Sequence, residues 1–251
     1  MMEYRNVFKK IKQILFIPKI KVKRDVTPLS QDHLPSYLKE GRDLEGIFTT
    51  IFRSNVWADN ESVSGPGSNL VQTQIILTEI PKLIRSLGVT TMLDVPCGDF
   101  RWMSEVELDG VKYIGADIVA DLVERNQNKF GNENRKFIHL DLTKKVLPQV
   151  DLILCRDCLV HLSFENIQKA LENIQNSGSK YLLLTTFSDR ESNYDILSGQ
   201  WRPINFMKPP FSFKSPQLLI NENCTEENGI YKDKCLGLWK IEDLRYELNK
   251  K

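Results

Sequence analysis

The 251-residue chain has almost no net charge, no long apolar run and no cysteine framework. Thirty-four Lys and Arg stand against 33 Asp and Glu, so bulk charge gives no argument for nucleic-acid binding, and any basic surface must be local. Nothing approaches the roughly 20 consecutive apolar residues that span a bilayer, which leaves a soluble or peripheral protein. Cys97, Cys155, Cys158, Cys224 and Cys235 are an odd number, and the N-terminus shows neither the uninterrupted apolar stretch nor the small-residue cleavage site of a secretory signal. A cytoplasmic location is expected. Cys155-x-x-Cys158 has no second such pair to complete a zinc site, so no metal is expected. Internal repeats and low-complexity tracts are also missing.

What is present suits one sizeable α/β core with appendages: 41% hydrophobic and 27% charged residues. Residues 1–33 read as a basic N-terminal arm. Tyr4, Val7, Phe8, Ile11, Ile14 and Leu15 share one helical stripe until Pro18, and Lys19, Lys21, Lys23 and Arg24 continue the positive charge. Residues 1–24 could rest on an anionic membrane surface, or the arm could pack on the body or on a second subunit. Residues 34–88 read as a helical cover, with one helix over about 34–53. Ser64-Gly65-Pro66-Gly67-Ser68 follows, an exposed turn or an anion-binding loop. Ser68 is placed to cap a second helix, ended by Gly88.

From residue 89 onward, apolar runs at 91–95, 112–116, 136–140, 151–155 and 180–187 alternate with helical stretches near 101–107, 119–129 and 163–176. Such alternation predicts a parallel sheet with helices on both faces. Residues 188–216 are too rich in proline for a helix and read as an insertion; the runs at 218–220 and 235–239 read as two last strands.

The polar residues of interest fall where these strands end, which is where open α/β sheets bind ligands. Asp94 closes the first run, ahead of Pro96, Cys97 and Gly98. Asp117, followed by Ile118, lies 19 residues beyond Gly98, a spacing at which an acid can accept both ribose hydroxyls. Asp141 and Leu142 are placed to meet an adenine amino group and its ring. The fourth strand emerges into Arg156, Asp157 and, four residues on, His161; on a helical turn this carboxylate would orient the imidazole and raise its basicity for removing a hydroxyl proton. Arg53, Trp57, Trp201, Arg202 and Asn205 are candidates for an acceptor site.

In these features the stretch 64–240 resembles the class I S-adenosylmethionine-dependent methyltransferases. That family has an acidic residue ending the first strand before a glycine-rich loop, another ending the second, and an Asp after the third; Asp94, Gly98, Asp117 and Asp141 match in turn. The resemblance implies a Rossmann-like, doubly wound, mostly parallel seven-stranded sheet with an antiparallel last strand. It places S-adenosylmethionine with its methionine portion over Asp94 and the Gly98 turn, its ribose at Asp117 and its adenine at Asp141 and Leu142. Ser64, Gly65, Ser68, Pro96, Ile118 and Arg156 complete the expected cofactor site. The loop departs from the family pattern, because Pro96 and Asp99 occupy looser positions and only Gly98 remains. Its form, Asp-x-Pro-Cys-Gly-Asp, resembles that of a group of small bacterial enzymes, some tied to surface-sugar or secondary metabolism.

The function so implied is methyl transfer to an acceptor hydroxyl on a small molecule or glycan, with Asp157 and His161 as catalytic residues. An N-methyltransferase is the alternative. So is a catalytically silent nucleoside-binding adaptor that meets a membrane or partner through its arm. No nucleic-acid partner is expected.

Overall fold

The structure, a computed structural model, describes Leu38 and residues 43–244, so the basic arm expected over 1–33 lies outside the described residues. Helix α1 (Leu44–Arg53) starts at Asp43, whose side chain accepts from the Gly46 N–H, and buries Leu44, Ile47 and Ile51. A loop follows, and then α2 (Leu70–Leu87). Its N-cap is Asn69, which accepts from Gln72 N–H, and not the expected Ser68, which closes a preceding 3₁₀ turn. Gly88 ends α2 in the left-handed conformation at φ +63, as a C-terminal glycine can without a Cβ penalty.

Strands β1 (Thr91–Asp94), β2 (Lys112–Asp117), β3 (Arg135–His139), β4 (Leu152–Cys155), β5 (Tyr181–Phe187), β6 (Leu218–Asn221) and β7 (Lys234–Lys240) form one sheet in the order β3-β2-β1-β4-β5-β7-β6. Pairing is parallel from β3 to β5, while β7 runs antiparallel between β5 and β6. This is the doubly wound sheet that the alternation predicted. Helices α3 (Ala120–Phe130) and α4 (Phe164–Asn176) also stand where expected, whereas the helix read near 101–107 shrinks to a 3₁₀ turn at Met103–Glu105.

The core has two layers because successive strand residues point to opposite faces. Leu93, Ile153, Leu182 and Leu184 join α4 and the 204–213 segment on one face. Met92, Leu152, Leu154 and Leu183 join α2, Phe100 and Trp102 on the other. Strands buried on both faces lack the alternating pattern of a half-exposed sheet, and β4 is buried at all four residues. None of the helices among the described residues is long and apolar enough to cross a membrane.

Candidate active site

The C-terminal ends of β1, β2 and β4 open on a cleft of about 920 Å³, counted with the solvent at its mouth. Its floor and walls come from Asp94 and Pro96–Asp99 after β1, Asp117–Val119 after β2, and Arg156–Cys158 after β4. Asp94 is buried and accepts the Tyr113 hydroxyl at 2.6 Å. Burial raises its pKa to about 7, against that hydrogen bond. Asp117 is buried too, with Oδ2 accepting from Gly98 N–H at 3.1 Å and Oδ1 from Val119 N–H at 3.0 Å. Burial again outweighs the donors and lifts its pKa to about 6. Among the described residues neither carboxyl forms an ion pair, and both line the cleft. Such groups suit a ligand that brings hydroxyls and positive charge.

Gly98 is required here by a protein contact. At φ +54 it occupies the left-handed region, and a Cβ would overlap the Ser64 hydroxyl. Ser64 Oγ accepts from Asp99 N–H at 2.9 Å, and Asp99 Oδ2 accepts from Val63 N–H at 3.0 Å. Thus Asp99, the departure from the glycine-rich pattern, binds the loop that precedes α2 down onto the β1 turn. Arg156 fastens the other end of that loop: its Nη2 donates to Gly67 O at 2.7 Å and to Glu222 Oε2 at 2.6 Å. Ser64 and Ser68 line the cleft as expected; Gly65 lines a neighbouring chamber instead.

That chamber, about 770 Å³ counted with the solvent at its mouth, is walled by Trp57, Phe187, Trp201 and Tyr231, with Glu226, Glu227 and Lys234 among its polar groups. Cleft and chamber have Trp57, Ser64, Asp157 and His161 in common. The two residues expected to be catalytic therefore stand where the spaces meet. They are not hydrogen-bonded to each other, however. Asp157 Oδ2 takes Lys234 Nζ at 2.6 Å and lies 3.3 Å from Arg156 Nη1. Burial would raise its pKa, but Lys234 and Arg156 hold it below the usual carboxylate value. His161 is oriented instead by Gln200, whose carbonyl oxygen lies 2.9 Å from Nδ1. A carbonyl can only accept, so Nδ1 carries the proton and Nε2 of the neutral ring keeps a lone pair. Burial lowers the pKa of the ring to about 4, contrary to the expected rise in basicity. Trp57 packs on it with ring centroids 5.0 Å apart.

Several expected site residues lie elsewhere. Asp141 folds back on its own turn: Oδ1 accepts from Thr143 N–H and Oγ1, and Lys144 lies 3.2 Å from Oδ2. Leu142 is buried in the core. The apolar wall of the cleft comes from Ile118, Val119 and Leu122, with Phe48 and Phe52 of α1. Arg53 points away and pairs with Asp121 on the surface at 2.8 Å. Arg202 is wholly buried and donates to the carbonyls of Tyr194, Leu159, Val160 and Leu162. Asn205, also buried, donates to Ser188 O and Arg190 O. Arg202 ties the 188–216 insertion to the turn after β4, Asn205 braces the insertion itself, and each of their side-chain nitrogens is engaged within the protein. Trp57 and Trp201 alone of the five acceptor candidates reach the chamber.

Residues 92–177, which contain the β1, β2 and β4 ends of this cleft, match the family model described as a methyltransferase domain. The sheet order and the match together give the fold of the class I methyltransferases. Among solved structures, human N-acetylserotonin methyltransferase in complex with SAM superposes with a TM-score of 0.56 at 16% identity, covering 82% of this chain and 62% of that one. N-methyltransferase NodS from Bradyrhizobium japonicum WM9 gives 0.51 at 11% identity, covering 69% of this chain and 98% of that one. At these identities the likeness is one of methyltransferase fold. No curated protein matches the chain in sequence.

Proposed function

We propose that this methyltransferase binds S-adenosylmethionine in the cleft and methylates a hydroxyl of a small molecule or glycan held in the adjoining chamber. One observation carries the reading: the cleft with the unpaired Asp94 and Asp117 carboxyls and the chamber with the aromatic walls meet at Trp57, Ser64, Asp157 and His161. Asp117, pinned by two backbone N–H groups, would take the ribose hydroxyls. Ile118, Val119 and Leu122 would pack on the adenine, and Asp94 with the Pro96–Asp99 turn would face the methionine portion. S-adenosylmethionine, when bound, supplies a methyl group already activated by its sulfonium.

The protein's own tasks are then alignment, exclusion of water and removal of one proton. The loop fastened by Asp99 and Arg156 covers the cleft and positions Ser64 at the junction. His161 Nε2 would receive the acceptor's O–H proton as the methyl–oxygen bond forms. The Gln200 carbonyl keeps the ring in the tautomer that can do so. Asp157, engaged by Lys234, contributes negative potential beside that ring and is a positioning group rather than the base. Incubating the full chain with methyl-labelled S-adenosylmethionine and a panel of hydroxyl and amine acceptors tests this: labelled ether product supports it, and label only on nitrogen favours the N-methyltransferase alternative.

A further inference from the structure

The charges around the chamber do not balance. Arg156 and Lys234 are matched by Asp157 and Glu222, in a buried cluster with contacts of 2.6 Å from Lys234 to Asp157 and from Arg156 to Glu222. Arg190, behind Tyr231, is matched by Asp233 at 2.8 Å. Glu226 and Glu227 remain, and among the described residues neither forms an ion pair. They sit on a short helical turn at the chamber wall, Glu227 exposed and Glu226 half-buried, with Glu227 held at φ +49. In the same chamber Trp201 meets Tyr231 edge-on, with centroids 4.8 Å apart, and is 37% exposed. Aromatic faces and carboxylates both draw a cation, and the attraction strengthens where water is excluded. Arg190 already lies 5.6 Å from the Tyr231 ring centroid, so this ring does accept a cation on one face.

From this surplus we infer that the acceptor carries a protonated amine, separate from the hydroxyl that reacts, and that Glu226 and Glu227 with the Trp201 and Tyr231 rings hold it. The acceptor would be an amino alcohol in the broad sense: a hydroxylated amine or an amino-bearing sugar. Its ammonium sits toward the Glu226–Glu227 wall and its hydroxyl toward His161. This rests on the reading of the chamber as the acceptor site.

The test compares 2-phenylethylamine with 2-phenylethanol, a pair of similar shape that differs in charge, by calorimetry on the full chain at neutral pH. The amine should bind about tenfold more tightly, near the middle of what a partly desolvated cation over aromatic rings supports. In the Glu226→Gln/Glu227→Gln double variant, checked for native circular dichroism, the preference should shrink to about twofold or less. Equal binding, tighter binding of the alcohol, no binding of either, or a preference that survives in the double variant overturns the inference. S-adenosylhomocysteine is titrated separately. Loss of that binding alone would count against the cofactor reading and leave the amine site standing.

Discussion

Lys234 Nζ lies 2.6 Å from Asp157 Oδ2, and this ion pair, rather than a bond to His161, is what holds the carboxylate at the junction of the two spaces. Lys234 comes from β7, 77 residues further along the chain, so the last strand supplies the partner of a carboxylate that follows β4. The imidazole is left to the Gln200 carbonyl, which fixes its protonated nitrogen.

His161 is therefore expected to matter for turnover more than for affinity. His161→Ala should lower kcat by about 10²-fold or more, the usual worth of a positioned base, and leave S-adenosylhomocysteine binding within about threefold of wild type. Steady-state kinetics with calorimetry checks both. Nearly unchanged kcat would mean that the acceptor atom needs no base, as an amine nitrogen does not.

Asp94 gives the protein a pH dependence of a particular sign. Its pKa stands at about 7 in the folded chain against 3.8 for the free group, so the folded state holds the extra proton between these values. That contribution to stability is present at low pH and is lost as pH rises from about 4 through 7. Asp117, raised to about 6, acts in the same direction and His161, lowered to about 4, in the opposite one, and the variant keeps both. Melting wild type beside Asp94→Asn from pH 4.5 to 8 isolates Asp94: the wild type should lose ground to the variant as pH rises to 7. Parallel curves would show that Asp94 ionises normally.

Arg202 and Arg53 should separate cleanly in stability. Arg202→Ala strips a buried guanidinium from four carbonyls and should cost at least about 3 kcal/mol. Arg53→Ala removes an exposed pair with Asp121 and should cost under about 1 kcal/mol. Urea titrations report both.

Gly98→Ala should loosen the loop over the cleft. A Cβ there meets the Ser64 hydroxyl at a backbone φ of +54, and the left-handed conformation alone costs about 1–2 kcal/mol in a residue with a side chain. Adding Ser64→Gly should recover the steric part and leave the conformational part, so the double variant should be more stable to urea than Gly98→Ala alone.

Much of this was legible in the sequence because it is local. Alternating apolar runs and helical stretches mark β1 to β5 and their helices, and an acid at the end of a strand, as at Asp94 and Asp117, is placed by that strand's own length. What was not legible depends on distant partners. Arg202 and Asn205 have the chemistry of ligand contacts, but carbonyls of the insertion and of the turn after β4 engage all their side-chain nitrogens. Asp141 stands at a strand end, yet Thr143 and Lys144 capture it within its own turn. Phe48 and Phe52 lie within the helix read over about 34–53, and only the docking of α1 beside the β2 end turns them into a cleft wall. The work of Asp99 depends on a loop 35 residues earlier in the chain.

Calorimetric titration of the purified full chain with S-adenosylhomocysteine, wild type beside Asp117→Ala, tests the central claim most directly. Wild type should bind with a saturable, one-to-one isotherm, and Asp117→Ala, which removes the carboxylate that Gly98 and Val119 hold ready, should bind about 10- to 100-fold more weakly. Absence of binding to the wild type at high-micromolar ligand, or equal affinity in the two proteins, would contradict it.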